Sequence, residues 1–169
     1  MAEKIKHENP VLIGVSFGGI LVQEMSHFVL ARKVIIISSV KSNLEFPKRM
    51  MFAKSTKAYK LLPISLVQNI ESLARISFGR KVNERLKLYD KFLSVRDKRY
   101  LDWAIEQVIL WDRTVVNEEV VHIHGDKDDV FPIKYIKDKC VIVNGGTHVM
   151  ILNKYRWLND NLPAIILNA

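Results

Sequence analysis

The sequence predicts an α/β fold: a mostly parallel sheet of about four strands with flanking helices, interrupted by an inserted helical segment. Three observations carry that reading. Short continuous apolar runs, the pattern of strands buried on both faces, occur at 11–15 and 34–37, and strand character returns at 120–124 and 140–143. Stretches with helical spacing separate the runs. From Lys41 to Arg113 the strand pattern stops and only helical spacing remains. The 169 residues suit a single domain over 1–169, with 41–113 inserted within it.

Taken in order, residues 2–8 are polar and suit a short helix ending before the Asn9-Pro10 break. Val11 to Val15 is the first buried strand. Ile20 to Ala31 follows as a helix, with Ile20, Leu21, Met25, Phe28 and Val29 at helical spacing. Val34 to Ile37 is the second strand, and a strand-helix-strand unit of this length favours a right-handed parallel crossover. Four helical segments are expected near 47–60, 63–77, 80–94 and 97–112, with breaks at Pro47, Pro63 and Gly79. Ser94, with Asp97 three residues on, suits the N-cap of the last one, whose stripe is Tyr100, Ala104, Val108 and Trp111. Strands return at Val120–His124 and Cys140–Val143, separated by a loop over 125–132 and a short helix. The segment from His148 to about Asn161 closes the pattern as a helix with Met150, Ile151, Tyr155 and Leu158 on its apolar side.

Composition narrows the class. An apolar fraction of 49% beside 26% charged residues is that of an ordinary globular protein. No apolar run reaches the length of a membrane span, and the polar start lacks a signal-peptide core. The single cysteine, Cys140, has no internal partner, so a reducing, cytoplasmic setting is expected. The net charge of +8 is concentrated: 41–113 holds sixteen Lys or Arg against eight Asp or Glu, and the flanks balance. Such a surplus can favour anionic substrates or an acidic partner, although a solvated face is the commoner reason. No nucleic-acid recognition motif accompanies it.

Three constellations could carry chemistry. In Gly14-Val15-Ser16-Phe17-Gly18-Gly19 a serine stands between a buried strand and a helix, with glycine two residues to each side. That is the pattern of a nucleophile elbow, in which strained backbone lifts Oγ above the sheet. Side chains at Gly14 and Gly18 are expected to collide with neighbouring backbone. The Phe17 N–H, at the helix start, can support a developing oxyanion. The second constellation, His124-Gly125-Asp126-Lys127-Asp128-Asp129, places three carboxylates past a strand end, where catalytic groups collect in open α/β sheets. One of the three, held near an imidazole, would orient it. The third, Gly145-Gly146-Thr147-His148, follows the last strand and offers a general base. His7 and His27 fall on helical stretches, and His122 and His124 alternate along a strand in a structural pattern. Each constellation alone also suits a packing turn, a solvated loop or a capping histidine. All three occur in the order Ser, Asp, His, each just past a strand.

From the elbow strand to the last helix, the chain resembles the α/β-hydrolase superfamily. The resemblance implies that Ser16 is the nucleophile and His148 the base. It also selects Asp128 as the acid, because His124-Gly125-x-x-Asp128 with Pro132 beyond is similar to the family's acid loop. The insertion occupies the place of the family's helical lid, where Trp103, Trp111, Tyr100 and Phe52 could line an acyl pocket or form the lid's own core. A complete member has further strands and an oxyanion loop before the elbow, whereas ten residues precede Val11 here. The expectation is an incomplete domain lacking the N-terminal strands, with Phe17 N–H as its identifiable donor. Loss of one donor costs roughly 3–4 kcal/mol in the transition state. The uncovered Val11–Val15 edge would invite a second copy or another chain.

The function expected is a serine hydrolase acting on an ester, thioester or related acyl bond of a small-molecule substrate. It needs no cofactor and no metal. The alternative is a truncated or impaired relative serving as a binding module. A lyase or acyltransferase could use the same three residues.

Overall fold

A computed structural model of the chain describes residues 1–61 and 97–168. The expected helices at 63–77 and 80–94, and the Ser94 cap, lie outside the described residues. The chain divides into two compact units: one of Met1–Pro47 with Asp112–Ala169, the other of Lys48–Trp111.

The first unit holds four parallel strands: β1 (Val11–Val15), β2 (Lys33–Ile37), β3 (Val121–Gly125) and β4 (Val141–Val143). They lie in the order β1-β2-β3-β4, with Leu12 opposite Val34, Ile36 opposite His122 and Ile123 opposite Val141. The two-residue alternation of a strand sends its apolar side chains to opposite faces, and each face meets a helix. On one face Ile35, Ile37, Ile123 and Val143 pack with Met150 and Leu158. On the other Leu12, Val34, Ile36 and Val120 pack against Val22 and Met25. The first of these faces is covered by α4 (Met150–Asn153) and α5 (Tyr155–Leu167), the second by α1 (Phe17–Met25).

Burial on both faces holds for the inner strands and fails at the edges. Ile13 in β1 is 40% exposed, as are Val141 and Ile142 in β4 at 38% and 58%. The outer strands have a neighbour on one side among the described residues, so they are covered less completely.

Several helix boundaries differ from the sequence pattern. α1 stops at Met25, six residues before Ala31, and the chain turns through 26–30 with Phe28 and Leu30 largely in solvent. Phe28 therefore belongs to no core. The closing helix runs on to Leu167, past Pro163, which removes one ladder hydrogen bond. Leu162 just before that proline and Ile165 and Ile166 beyond it pack on the core cluster, and this burial holds the last turn. The polar N-terminus and the segment after Pro132 form only single 3-10 turns, Ala2–Lys4 and Ile133–Tyr135.

The ends of the insertion meet within the first unit, where Asn43 N–H donates to the Arg113 carbonyl at 2.8 Å. Arg113 also donates to Glu24 at 3.0 Å, tying the returning chain to α1. In the second unit α2 (Lys48–Thr56) and a 3-10 turn (Ala58–Leu61) precede α3 (Lys98–Leu110). The Tyr59 hydroxyl donates to Glu106 of α3 at 3.2 Å. The α3 N-cap is Asp97, whose carboxylate accepts from Tyr100 N–H at 2.9 Å. Among the aromatic residues considered for this segment, Trp111 is buried while Phe52, Tyr100 and Trp103 are exposed.

Candidate active site

Parallel strands carry all their C-terminal ends to one edge, so the loops after β1, β3 and β4 must converge there. Ser16 follows β1 with φ 54° and ψ −120°, a conformation costly for any residue with a side chain. It is held from both ends. Its N–H donates to the Ile37 carbonyl at 2.9 Å, and its carbonyl accepts from Gly19 N–H at 2.9 Å and from the Ser39 hydroxyl at 2.8 Å. The glycines around it divide the steric work differently from the sequence reading. A Cβ on Gly14 would sit 2.1 Å from the Gly18 carbonyl oxygen, and one on Gly19 would sit 2.5 Å from the Ser39 side chain. A Cβ on Gly18 would meet nothing within 4 Å, so the collision expected there does not occur; the Gly18 backbone matters only as what crowds Gly14. Phe17 is the first residue of α1.

Ser16 Oγ lies 2.8 Å from His148 Nε2. His148 Nδ1 in turn lies 3.0 Å from Asp128 Oδ2 and 3.2 Å from Oδ1. The Asp128 side chain is wholly buried and the His148 side chain is 18% exposed. Asp128 Oδ1 also accepts the N–H groups of Val130 and Phe131, at 2.8 and 2.9 Å. Burial pushes this carboxyl up, but the His148 hydrogen bond and charge, with the Phe131 amide and His124, outweigh it and hold it below the ordinary value. The carboxylate form is therefore the one present at neutral pH. The edge of the Phe131 ring packs on the imidazole at 5.6 Å between centroids.

The neighbouring carboxylates do other work. Asp126 accepts from Gly145 N–H, linking the loops after β3 and β4, and Asp129 is exposed. The same two loops touch through glycines: a Cβ on Gly125 would lie 2.2 Å from the Gly146 carbonyl oxygen. This contact keeps the Asp128 and His148 loops at their pairing distance, and the sequence shows it only as two glycines. Glu45 is a second residue that spacing does not reveal. It is fully buried and accepts from the N–H groups of Lys41 at 2.7 Å and Lys137 at 3.0 Å. It thus joins the loop after β2 to the segment before β4. His7 and His27 are exposed, and His27 touches Arg113.

Among the described residues no group of His, Cys, Asp and Glu could hold a metal ion, and no helix is long and apolar enough to cross a membrane.

No protein-family profile matches this sequence, and no curated protein matches it. Solved structures do. A protein assigned as the non-heme bromoperoxidase BpoC of Mycobacterium tuberculosis H37Rv superposes with a TM-score of 0.69 at 13% identity, over 96% of this chain and 68% of its own. The Bacillus megaterium epoxide hydrolase gives 0.67 at 11% identity, over 98% of this chain and 72% of its own. MGS-M2, an alpha/beta hydrolase enzyme from a Medee basin deep-sea metagenome library, gives 0.59 at 12%, over 94% and 65%. The chain spans about two thirds of the length of these structures. Over that span, with its parallel sheet, its strained serine after β1 and its helices on both faces, the chain has the α/β-hydrolase fold.

Proposed function

We propose that the chain is a serine hydrolase cleaving an ester, thioester or related acyl bond of a small-molecule substrate. The observation that carries this reading is the hydrogen-bonded series Ser16–His148–Asp128, with a strained serine at one end and a buried carboxylate at the other. His148 Nε2 takes the Ser16 proton as Oγ attacks the carbonyl carbon. The resulting imidazolium passes that proton to the leaving group, and the carbonyl re-forms as an acyl-enzyme. Water then repeats the sequence from the other side and releases the acid. Asp128 keeps a proton on His148 Nδ1, which leaves Nε2 free to act as the base. Phe17 N–H, beside the nucleophile at the start of α1, supports the oxyanion. The chemistry calls for no metal and no organic cofactor.

Two finer readings belong to the same proposal. The basic insertion serves as a lid that favours anionic acyl substrates, which a comparison of anionic and neutral esters of one acyl length tests. The β1 edge, with Ile13 exposed, pairs with a second copy, which size-exclusion chromatography tests; a monomer at every concentration removes it.

The deciding experiment is labelling with a fluorophosphonate probe, comparing the chain with its Ser16→Ala variant. Labelling confined to the unsubstituted chain is the expected result. A folded chain that takes no label is not a working serine hydrolase, and the fold would then serve as a binding module.

A further inference from the structure

Behind Asp128 lie two buried histidines that the proposed reaction does not use. His122 and His124 stand two residues apart on β3, hence on one face of the sheet, at 1% and 0% exposure. Their rings meet edge to face at 4.9 Å, with His122 Nε2 3.0 Å from His124 Nδ1. His124 Nε2 lies 2.8 Å from the carbonyl oxygen of Phe131.

These contacts assign the protons. A carbonyl oxygen only accepts, so His124 Nε2 carries the hydrogen. In a neutral ring its Nδ1 is then bare and accepts, so His122 Nε2 is the donor between the rings. His122 Nδ1 is left with the lone pair. It is also the one nitrogen of the four that is buried without a hydrogen-bond partner. Burial, then the electrostatic influence of neighbouring His124 and Lys41, pushes His122 down to about 3 against a weaker pull from the Ser39 backbone and Asp128. Burial likewise lowers His124. Both rings are therefore neutral, and one arrangement of hydrogens satisfies the contact between the rings together with the contact to Phe131.

The acceptor at the end of this relay matters to the site. Phe131 is 2% exposed. Its N–H donates to Asp128 Oδ1 at 2.9 Å, its ring packs on His148, and the same ring stacks on Phe46 at 6.1 Å. One residue thus touches both the acid and the base. We propose that His124 is a positioning residue, whose Nε2–H, kept in that tautomer by His122, fixes Phe131 and through it the pairing of Asp128 with His148. An apolar side chain in place of His124 would fill the space but leave the Phe131 carbonyl buried and unsatisfied.

The inference rests on the serine-hydrolase reading, so its test has one arm with probe and one without. His124→Gln keeps an N–H where Nε2 stood, whereas His124→Leu keeps only bulk. With the fluorophosphonate probe, His124→Leu is expected to slow Ser16 labelling by about 10²-fold, the scale of a displacement near 1 Å. His124→Gln is expected to recover most of that loss. By proton NMR, the downfield signal of a His148 Nδ1–H bound to a carboxylate should persist in the Gln variant and vanish in the Leu variant. Equal effects of the two substitutions, or none in His124→Leu, overturn the proposal. If the unsubstituted chain takes no label, the hydrolase reading fails while the His148 proton still decides the positioning role. Should His124→Leu fail to fold, nitrogen-15 shifts of the unsubstituted chain remain decisive. Nε2–H on both rings supports the relay, and Nδ1–H on either ring overturns it.

Discussion

At the scale of single residues, the candidate site is a set of side chains each fixed by partners distant in sequence. His148 lies 132 residues from Ser16, and Asp128 lies 20 from His148. Asp128→Asn should leave the fold intact while presenting an amide in place of a carboxylate, which upsets the His148 tautomer. Its labelling rate is expected to fall roughly 10³- to 10⁴-fold, measured by stopped labelling and gel fluorescence. A residue-scale pH effect follows from His122. The folded chain refuses its proton down to about 3, whereas the unfolded chain takes it near the ordinary value of 6.5. Between those values the unfolded state binds more protons, so stability from this group is lost as pH falls through that window. The slope is about 1.4 kcal/mol per pH unit at most for one proton. Thermal melts at pH 7, 6, 5 and 4 should therefore fall more steeply for the unsubstituted chain than for His122→Phe; parallel curves would refute this. Asp128 acts in the same sense at lower pH, because its folded value is also depressed and the unfolded state again binds more protons as pH falls. Its contribution is fully present above 3.8, the ordinary value, and is lost below it.

Among elements, the turn between β1 and α1 is where local sequence and local strain meet. Val11–Val15 is apolar enough to stay in the sheet, and Phe17–Met25 packs on the face that carries Ile36. The chain must reverse between them within one residue, Ser16, with φ 54°. Gly14→Ala puts a Cβ 2.1 Å from the Gly18 oxygen, so the turn must open. The expected result is a loss of more than 2 kcal/mol in denaturant unfolding, together with loss of labelling. Gly18→Ala meets nothing within 4 Å and should leave stability unchanged or raise it by up to about 1 kcal/mol, as replacing a helical glycine does. Equal destabilisation by the two substitutions would show that this steric account is wrong.

In the whole molecule, the two core layers decide which changes the protein tolerates. Ile36 is wholly buried between β2 and α1, and Ile36→Ala should cost about 2–5 kcal/mol in chemical denaturation. Ile13, on the outer strand and 40% exposed, should accept lysine at less than about 1 kcal/mol. The same Ile13→Lys change should abolish any concentration-dependent association seen by sedimentation, since a charge at a strand edge opposes pairing. Association unaffected by it would place the contact elsewhere.

Much of this was legible in the sequence, for a physical reason. Strands of a parallel sheet are largely apolar, so 11–15, 34–37, 120–124 and 140–143 stand out although only the inner two strands are buried on both faces, and parallel strands put their following loops at one edge. The candidate residues Ser16, Asp128 and His148 were readable as occupants of those loops. Other features depended on contacts that no local pattern encodes. The extent of α1 and α5 was settled by what packs against them: Phe28 has no neighbour to bury it, and Ile165 and Ile166 hold the helix beyond Pro163. The place of Gly125 against Gly146, the link that Glu45 makes between the loop after β2 and the segment before β4, and the tautomers of His122 and His124 were decided in the tertiary structure alone. Periodicity along a chain records which face of an element avoids water. Which atoms then share a proton depends on distances between segments that only the assembled sheet sets.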